Sequence, residues 1–169
     1  SSNKDRELRS ILMNKVENGA INNKNAALIF FPTVTNPSNG AFTKLKSIRN
    51  ILNNQIIGLF TCGDAPKNWS LSFEENYFKE HFQEIDTFQT SVGNLKPYDL
   101  YKEKVQTLFK SNKLAAIAAT KSFGMGVNKP NIRTTIHYGL PGSIEALYQE
   151  AGRAGRDGNR AECISLVNL

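Results

Sequence analysis

Arg153 and Arg156 stand three residues apart in the run Tyr148-Gln149-Glu150-Ala151-Gly152-Arg153-Ala154-Gly155-Arg156-Asp157-Gly158, with only small residues between them. A guanidinium stays charged at any working pH and offers five N–H donors in a fixed fork, so two of them on one turn suit a polyphosphate. Glycines at 152, 155 and 158 let backbone come close to such a ligand. Other chemistries find less support. His81 and His137 lack metal-ligand spacing and read as surface or structural residues. Cys62 and Cys163 form no Cys-x-x-Cys pair and read as buried free thiols, and no metal site is expected.

A second segment, Ala119-Thr120-Lys121-Ser122-Phe123-Gly124-Met125-Gly126-Val127-Asn128-Lys129-Pro130, runs into the strand-like Ile132-Arg133-Thr134-Thr135-Ile136-His137-Tyr138 and then Leu140-Pro141. Together the two segments resemble motifs V and VI of the RecQ family of DNA helicases, with Gln149, Arg153 and Arg156 matching the pattern Gln-x-x-Gly-Arg-x-x-Arg. The match runs from about Leu114 to Val167.

The resemblance implies roles. Arg156 matches the arginine finger, Arg153 the neighbouring phosphate-sensing arginine, and Gln149 the polar residue that couples the nucleotide cleft to the DNA strand. Asn128 and Gly126 match positions on the nucleotide side. Thr120, Gly124 and Gly126 match a loop that meets a strand phosphate with a hydroxyl and backbone amides. Motif IV should fall at Pro32 to Asn36, where Thr33 and Thr35 are candidate strand contacts, although a capped turn explains them equally well. The partners implied are DNA, single-stranded or at a duplex junction, and a first RecA-like domain of the same polypeptide, in DNA repair and recombination. That first domain would hold most of the ATP and Mg2+.

These residues need a scaffold, and the pattern supplies one. Leu8, Ile11, Leu12 and Val16 recur at helical spacing, and Ala26 to Phe31 is a short apolar run ended by Pro32, which reads as a buried strand. Phe42, Leu45, Ile48, Ile51 and Leu52 predict a second helix, and Ile56 to Phe60 a second strand. After them come a helix over 98–109, strands over 114–119 and 132–138, a helix over 143–152 capped by Ser143, and a last strand over 161–167. Such an order predicts an α/β fold, a three-layer RecA-like domain with a mostly parallel central sheet.

Residues 64–97 interrupt this order with poor periodicity and scattered aromatic residues, and read as an insertion holding a short helix near 74–82. The insertion carries six acids against three lysines, which leaves 18 basic against 9 acidic residues elsewhere. A polyanion should therefore meet the body of the domain. In the resembled family this place holds only a short turn, so the insertion could stack bases, clamp a partner or pack.

The fold is expected to be P-loop NTPase-like without the P-loop, since no glycine is followed by lysine and no Asp-Glu pair occurs. By resemblance those parts lie on a preceding domain, so the chain reads as the second motor domain of a larger ATP-dependent DNA helicase, inactive in ATP turnover alone. The alternatives are a RecA-like regulatory or nucleic-acid-binding module without turnover, and an RNA helicase domain. No apolar run approaches the roughly 20 residues that span a bilayer. A soluble protein without a membrane partner is expected, cytoplasmic in a bacterium or nuclear in a eukaryote.

Overall fold

The computed structural model describes residues 3–52, 55–82, 96–121, 123 and 128–167. Five strands, β1 (Ala26–Phe30), β2 (Ile57–Phe60), β3 (Ala116–Ala119), β4 (Ile132–His137) and β5 (Glu162–Ser165), form one sheet in the order β2-β3-β1-β4-β5. Every pairing is parallel. All residues of β1 and β3 are buried, so the sheet is covered on both faces and the three-layer α/β expectation holds. The sheet is wholly rather than mostly parallel.

The covering helices are α1 (Asn3–Glu17), α2 (Ala41–Ile51), α3 (Leu71–His81), α4 (Pro97–Lys110) and α5 (Ile144–Ala151). Their ends follow local chemistry. Pro97 opens α4, where its missing N–H leaves nothing unsatisfied, and Ser143 Oγ caps α5 by accepting from the Ala146 amide at 3.1 Å. β1 continues into α2 towards β2, whereas β4 continues into α5 towards β5. The connections diverge between β1 and β4, and that divergence opens a crevice at their carboxyl ends, the usual ligand position in a parallel sheet.

Within the segment read as an insertion, α3 overlaps the expected helix, starting three residues earlier, at Leu71, and ending one earlier, at His81, while residues 83–95 lie outside the described ones. α3 fastens the free edge of the sheet. β2 is an edge strand, and its outward backbone groups are closed by side chains: Tyr77 Oη accepts from Ile57 N, Tyr101 Oη accepts from Leu59 N, and Arg49 Nε and Nη2 donate to Ile57 O. Arg49 also grips Glu74 with two bonds, Nη1 to Oε1 at 3.0 Å and Nη2 to Oε2 at 2.7 Å, and its guanidinium lies 3.7 Å from the centre of the Tyr77 ring. Tyr101 Oη donates to the same carboxylate at 2.8 Å. Both charges are buried.

The two cysteines correct the expectation of burial, because both are exposed. Cys62 lies beyond the end of β2, and Cys163 sits on β5, the opposite edge of the sheet, where apolar neighbours along the chain do not enclose a side chain.

Candidate functional site

Gln149, Arg153 and Arg156 gather at the end of α5. Gln149 and Arg156 are exposed and Arg153 is half-buried. The helix stops at Gly152, and the chain then turns back along β4, where the Gly155 amide donates to Ile132 O at 3.0 Å. Gly155 has φ +68° and an added Cβ would meet Asn159 O at 2.9 Å, so the turn requires glycine there. Arg133 on β4 pairs with Asp157 directly after the second arginine and holds its carboxyl down to about 2. Arg156 Nε donates to Gly152 O at 3.5 Å, which points the side chain off the helix end. Burial and the nearby Arg156 charge lower the pKa of Arg153 against the opposing pull of Glu150. Two repelling guanidinium groups on one rigid turn favour an anion that relieves the repulsion.

Large apolar side chains stand bare on α5 and in the turn before it, beside the exposed Glu145 and Gln149. Leu140, Ile144 and Tyr148 are 62%, 82% and 79% exposed, and the last two are one helical turn apart beside the arginines. An uncovered apolar stripe of this kind marks a face that meets another surface. Helical periodicity over 143–152 carried this signal in the sequence, but the direction in which the stripe points came only with the fold.

The other candidates separate from the arginines. Thr33 and Thr35 follow β1, and Thr120 follows β3, at the carboxyl ends of adjacent strands. Thr35 is exposed, but its carbonyl accepts from Thr43 Oγ1 at 3.0 Å, while Thr33 Oγ1 donates to Asn39 Oδ1 at 2.9 Å. Thr120 is buried and its hydroxyl accepts from the Cys62 amide at 3.4 Å. Asn128 is exposed on the approach to the amino end of β4, the end at which Gly155 docks. Gly124 and Gly126, with Ser122 and Met125, lie outside the described residues.

The crevice between β1 and β4 is a cleft of about 360 Å³, lined among others by Pro32, Lys121, His137, Ser143 and Glu150. Sequence reasoning missed its floor. His137 and Glu150 are both buried, and His137 Nε2 lies 3.1 Å from Glu150 Oε2, close enough to attract but off the line of a good hydrogen bond. A larger cleft of about 990 Å³ between α2 and α3 includes Thr35 and lies otherwise away from the candidate residues. Among the described residues no three His, Cys, Asp or Glu side chains converge where they could hold a metal ion. No described helix is long and apolar enough to cross a membrane.

Lys129, at the end of the motif V segment, is buried with its Nζ 4.8 Å from the Phe109 ring centre and donating to Asn112 Oδ1 at 2.5 Å. Burial lowers its pKa from the ordinary 10.5 to about 8. Above that value the unfolded chain holds a proton the folded chain has released, so stability rises with pH from about 8. The rise is opposed above about pH 10, where the unfolded chain ionises tyrosines such as Tyr98, which burial pushes up to about 12 in the fold. Thermal unfolding should therefore move to higher temperature between about pH 8 and pH 9.5, and Lys129→Met should flatten that rise.

Comparison with known proteins agrees with this geometry. Residues 94–158 match the family model described as helicase conserved C-terminal domain. The chain is 52% identical over 69 residues to a protein of Acanthamoeba polyphaga mimivirus provisionally named ATP-dependent RNA helicase R290, covering 41% of this chain and 13% of that protein. It is 49% identical over 75 residues to mouse ATP-dependent DNA helicase Q1, covering 44% and 11%. It is 52% identical over 70 residues to the Caenorhabditis elegans RecQ-like DNA helicase blm-1, covering 41% and 7%. The aligned stretch is thus about a tenth of the length of these relatives. Among solved structures, the DUF1998 helicase MrfA bound to DNA and AMPPNP superposes with TM-score 0.61 at 14% identity over 99% of this chain and 18% of that one. The Pyrococcus furiosus Hef helicase domain superposes with TM-score 0.53 at 18% identity over 98% and 26%. The α/β body shares the fold of these solved helicase structures, and residues 94–158 are the part that matches the helicase conserved C-terminal domain. The aligned stretches are similar to proteins named as a DNA helicase Q1 and a RecQ-like DNA helicase.

Proposed function

We propose that this chain is the second motor domain of a RecQ-like ATP-dependent DNA helicase. The observation that carries the reading is the pair Arg153 and Arg156 on a glycine turn beside the bare apolar stripe of Ile144 and Tyr148. Cations that suit a polyphosphate and a hydrophobic face together fit a cleft closed by another domain, the first RecA-like domain of the same polypeptide. ATP lies in that cleft, with Mg2+ held by the first domain, since this chain gathers no metal-holding carboxylates among its described residues. Arg156 acts as the finger that offsets charge building on the transferred phosphoryl group, Arg153 senses the phosphate, and Gln149 passes the state of the cleft towards the DNA. Asn128 belongs to the nucleotide side, and the resemblance assigns Gly126 to the same role.

The single strand crosses the carboxyl ends of β1 and β3, where Thr33, Thr35 and Thr120 meet its phosphates, and the resemblance gives Gly124 the same role. Contacts of this type position a strand without reading its sequence. Closing and opening of the two domains with each ATP moves the strand and separates a duplex. The segment 64–97 is an insertion in this scheme, and the protein works on DNA in repair or recombination, in the bacterial cytoplasm or the nucleus. Isolated from the first domain, the chain turns over no ATP.

A second reading takes RNA as the polymer, and the 52% identity to a protein named as an RNA helicase favours it. ATP turnover by the full-length protein, measured with single-stranded DNA and with single-stranded RNA, separates the two. Stimulation by DNA above RNA supports the first reading, and the reverse supports the second. Turnover absent with both polymers leaves a regulatory module.

A further inference from the structure

We infer that Cys163 is an activated thiol, a modification site at which His137 serves as the base and a small-molecule disulfide is the co-reactant. Three side chains from three elements carry this. Cys163 on β5 is exposed, and its Sγ lies 3.7 Å from Nδ1 of His137 on β4. The other ring nitrogen, Nε2, lies 3.1 Å from the carboxylate of Glu150 on α5. His137 and Glu150 are only 1% and 7% exposed, so water screens their attraction poorly. The imidazole plane is fixed by stacking on Phe30 of β1, with centroids 5.2 Å apart and planes 14° apart. Thiol, imidazole and carboxylate therefore stand in the order that activates a sulfur nucleophile.

The charge around the ring has one sign dominant. Glu150 faces it from α5, β1 presents only Phe30, and β5 presents the thiol itself. Lys121 lines the cleft on which His137 opens, and Arg153 sits close enough to Glu150 to feel its charge. Of these three charged groups, Glu150 is the one in contact with the ring, at Nε2.

The chemistry balances with one co-reactant. The Cys163 proton passes from Sγ to His137 Nδ1, and the resulting imidazolium is held by Glu150. The thiolate attacks one sulfur of the disulfide, a bond forms between Sγ and that sulfur, the original disulfide bond breaks, and the second half leaves as a thiolate that takes the proton from His137 or water. The protein thiol is oxidised and half of the disulfide is reduced. Glu150 O also accepts the Arg153 amide at 3.4 Å, so an adduct on Cys163 lies one hydrogen bond and one ion contact away from the arginine turn.

Cys62 is a control within the same molecule, since it is equally exposed and neither described histidine contacts it. The test is to treat the full-length protein with glutathione disulfide between pH 5.5 and 9 and to quantify adducts at each cysteine by peptide mass spectrometry. Cys163 should react about fivefold faster than Cys62 at pH 7, because it has a base within reach of its proton. His137→Gln should bring Cys163 to the rate of Cys62 while leaving Cys62 unchanged, which also reports that the fold survives. If that variant does not fold, Glu150→Gln should slow Cys163 in the same direction. Equal rates at the two cysteines in the wild type, or a Cys163 rate indifferent to whichever of the two variants folds, overturns the inference.

Discussion

Replacing Arg156 by alanine in the full-length protein is expected to lower ATP turnover by about three to five decades, the range that separates phosphoryl transfer with a finger from transfer without one. The side chain is exposed, so the loss should reach the chemistry without reaching the core. Circular dichroism and the unfolding temperature should match the wild type. Arg153→Ala differs, because that guanidinium is half-buried at the end of α5 and its removal also relieves repulsion with Arg156. It should lower turnover and shift the unfolding temperature together. Steady-state ATPase assays with saturating single-stranded DNA, run beside thermal melts, separate the two behaviours.

The second large effect concerns stability. Arg49→Ala or Glu74→Ala each leaves one buried charge without its bidentate partner, and each should destabilise the domain by about 3–5 kcal/mol. Glu74→Ala also strips a bond from Tyr101, while Arg49→Ala exposes Ile57 O on the free edge of β2. The double replacement by methionine should recover much of the loss, because an apolar pair of similar volume has no desolvation cost to offset. Urea unfolding of the chain, followed by the fluorescence of its one tryptophan, Trp69, reads this directly, since that ring packs against Tyr98 and Tyr101 next to the network. Two single variants that unfold at the wild-type urea concentration would remove the network from any account of stability.

The same network explains what the sequence could and could not disclose. β1 and β3 were legible because each is a short run of apolar residues bounded by turn signals, and a run without polar alternation belongs inside a parallel sheet. α5 was legible from Ser143 at one end and Gly152 at the other. The packing role of α3 was hidden, since Glu74 and Arg49 look like surface charges until their mutual pairing permits burial. For the cysteines, apolar neighbours suggested burial, yet position at a strand end and on an edge strand decided exposure.

At the candidate site, spacing pointed to Arg153 and Arg156 and the motif VI resemblance to Gln149, and a short distance along the chain keeps the three near one another at the end of α5. His137 and Glu150 were beyond such reading. They are 13 positions apart in the chain and meet only because α5 folds back over β4.

The central claim is that Arg156 recognises the charge of the transition state on a nucleotide held by another domain. Its most direct test is the affinity of the full-length protein, with single-stranded DNA present, for ADP alone and for ADP with tetrafluoroaluminate, in wild type and Arg156→Ala. The account predicts that the wild type binds the transition-state mimic at least about a hundredfold tighter than ADP, and that the variant keeps its ADP affinity but loses most of that preference. A preference for the mimic left intact in Arg156→Ala would contradict it.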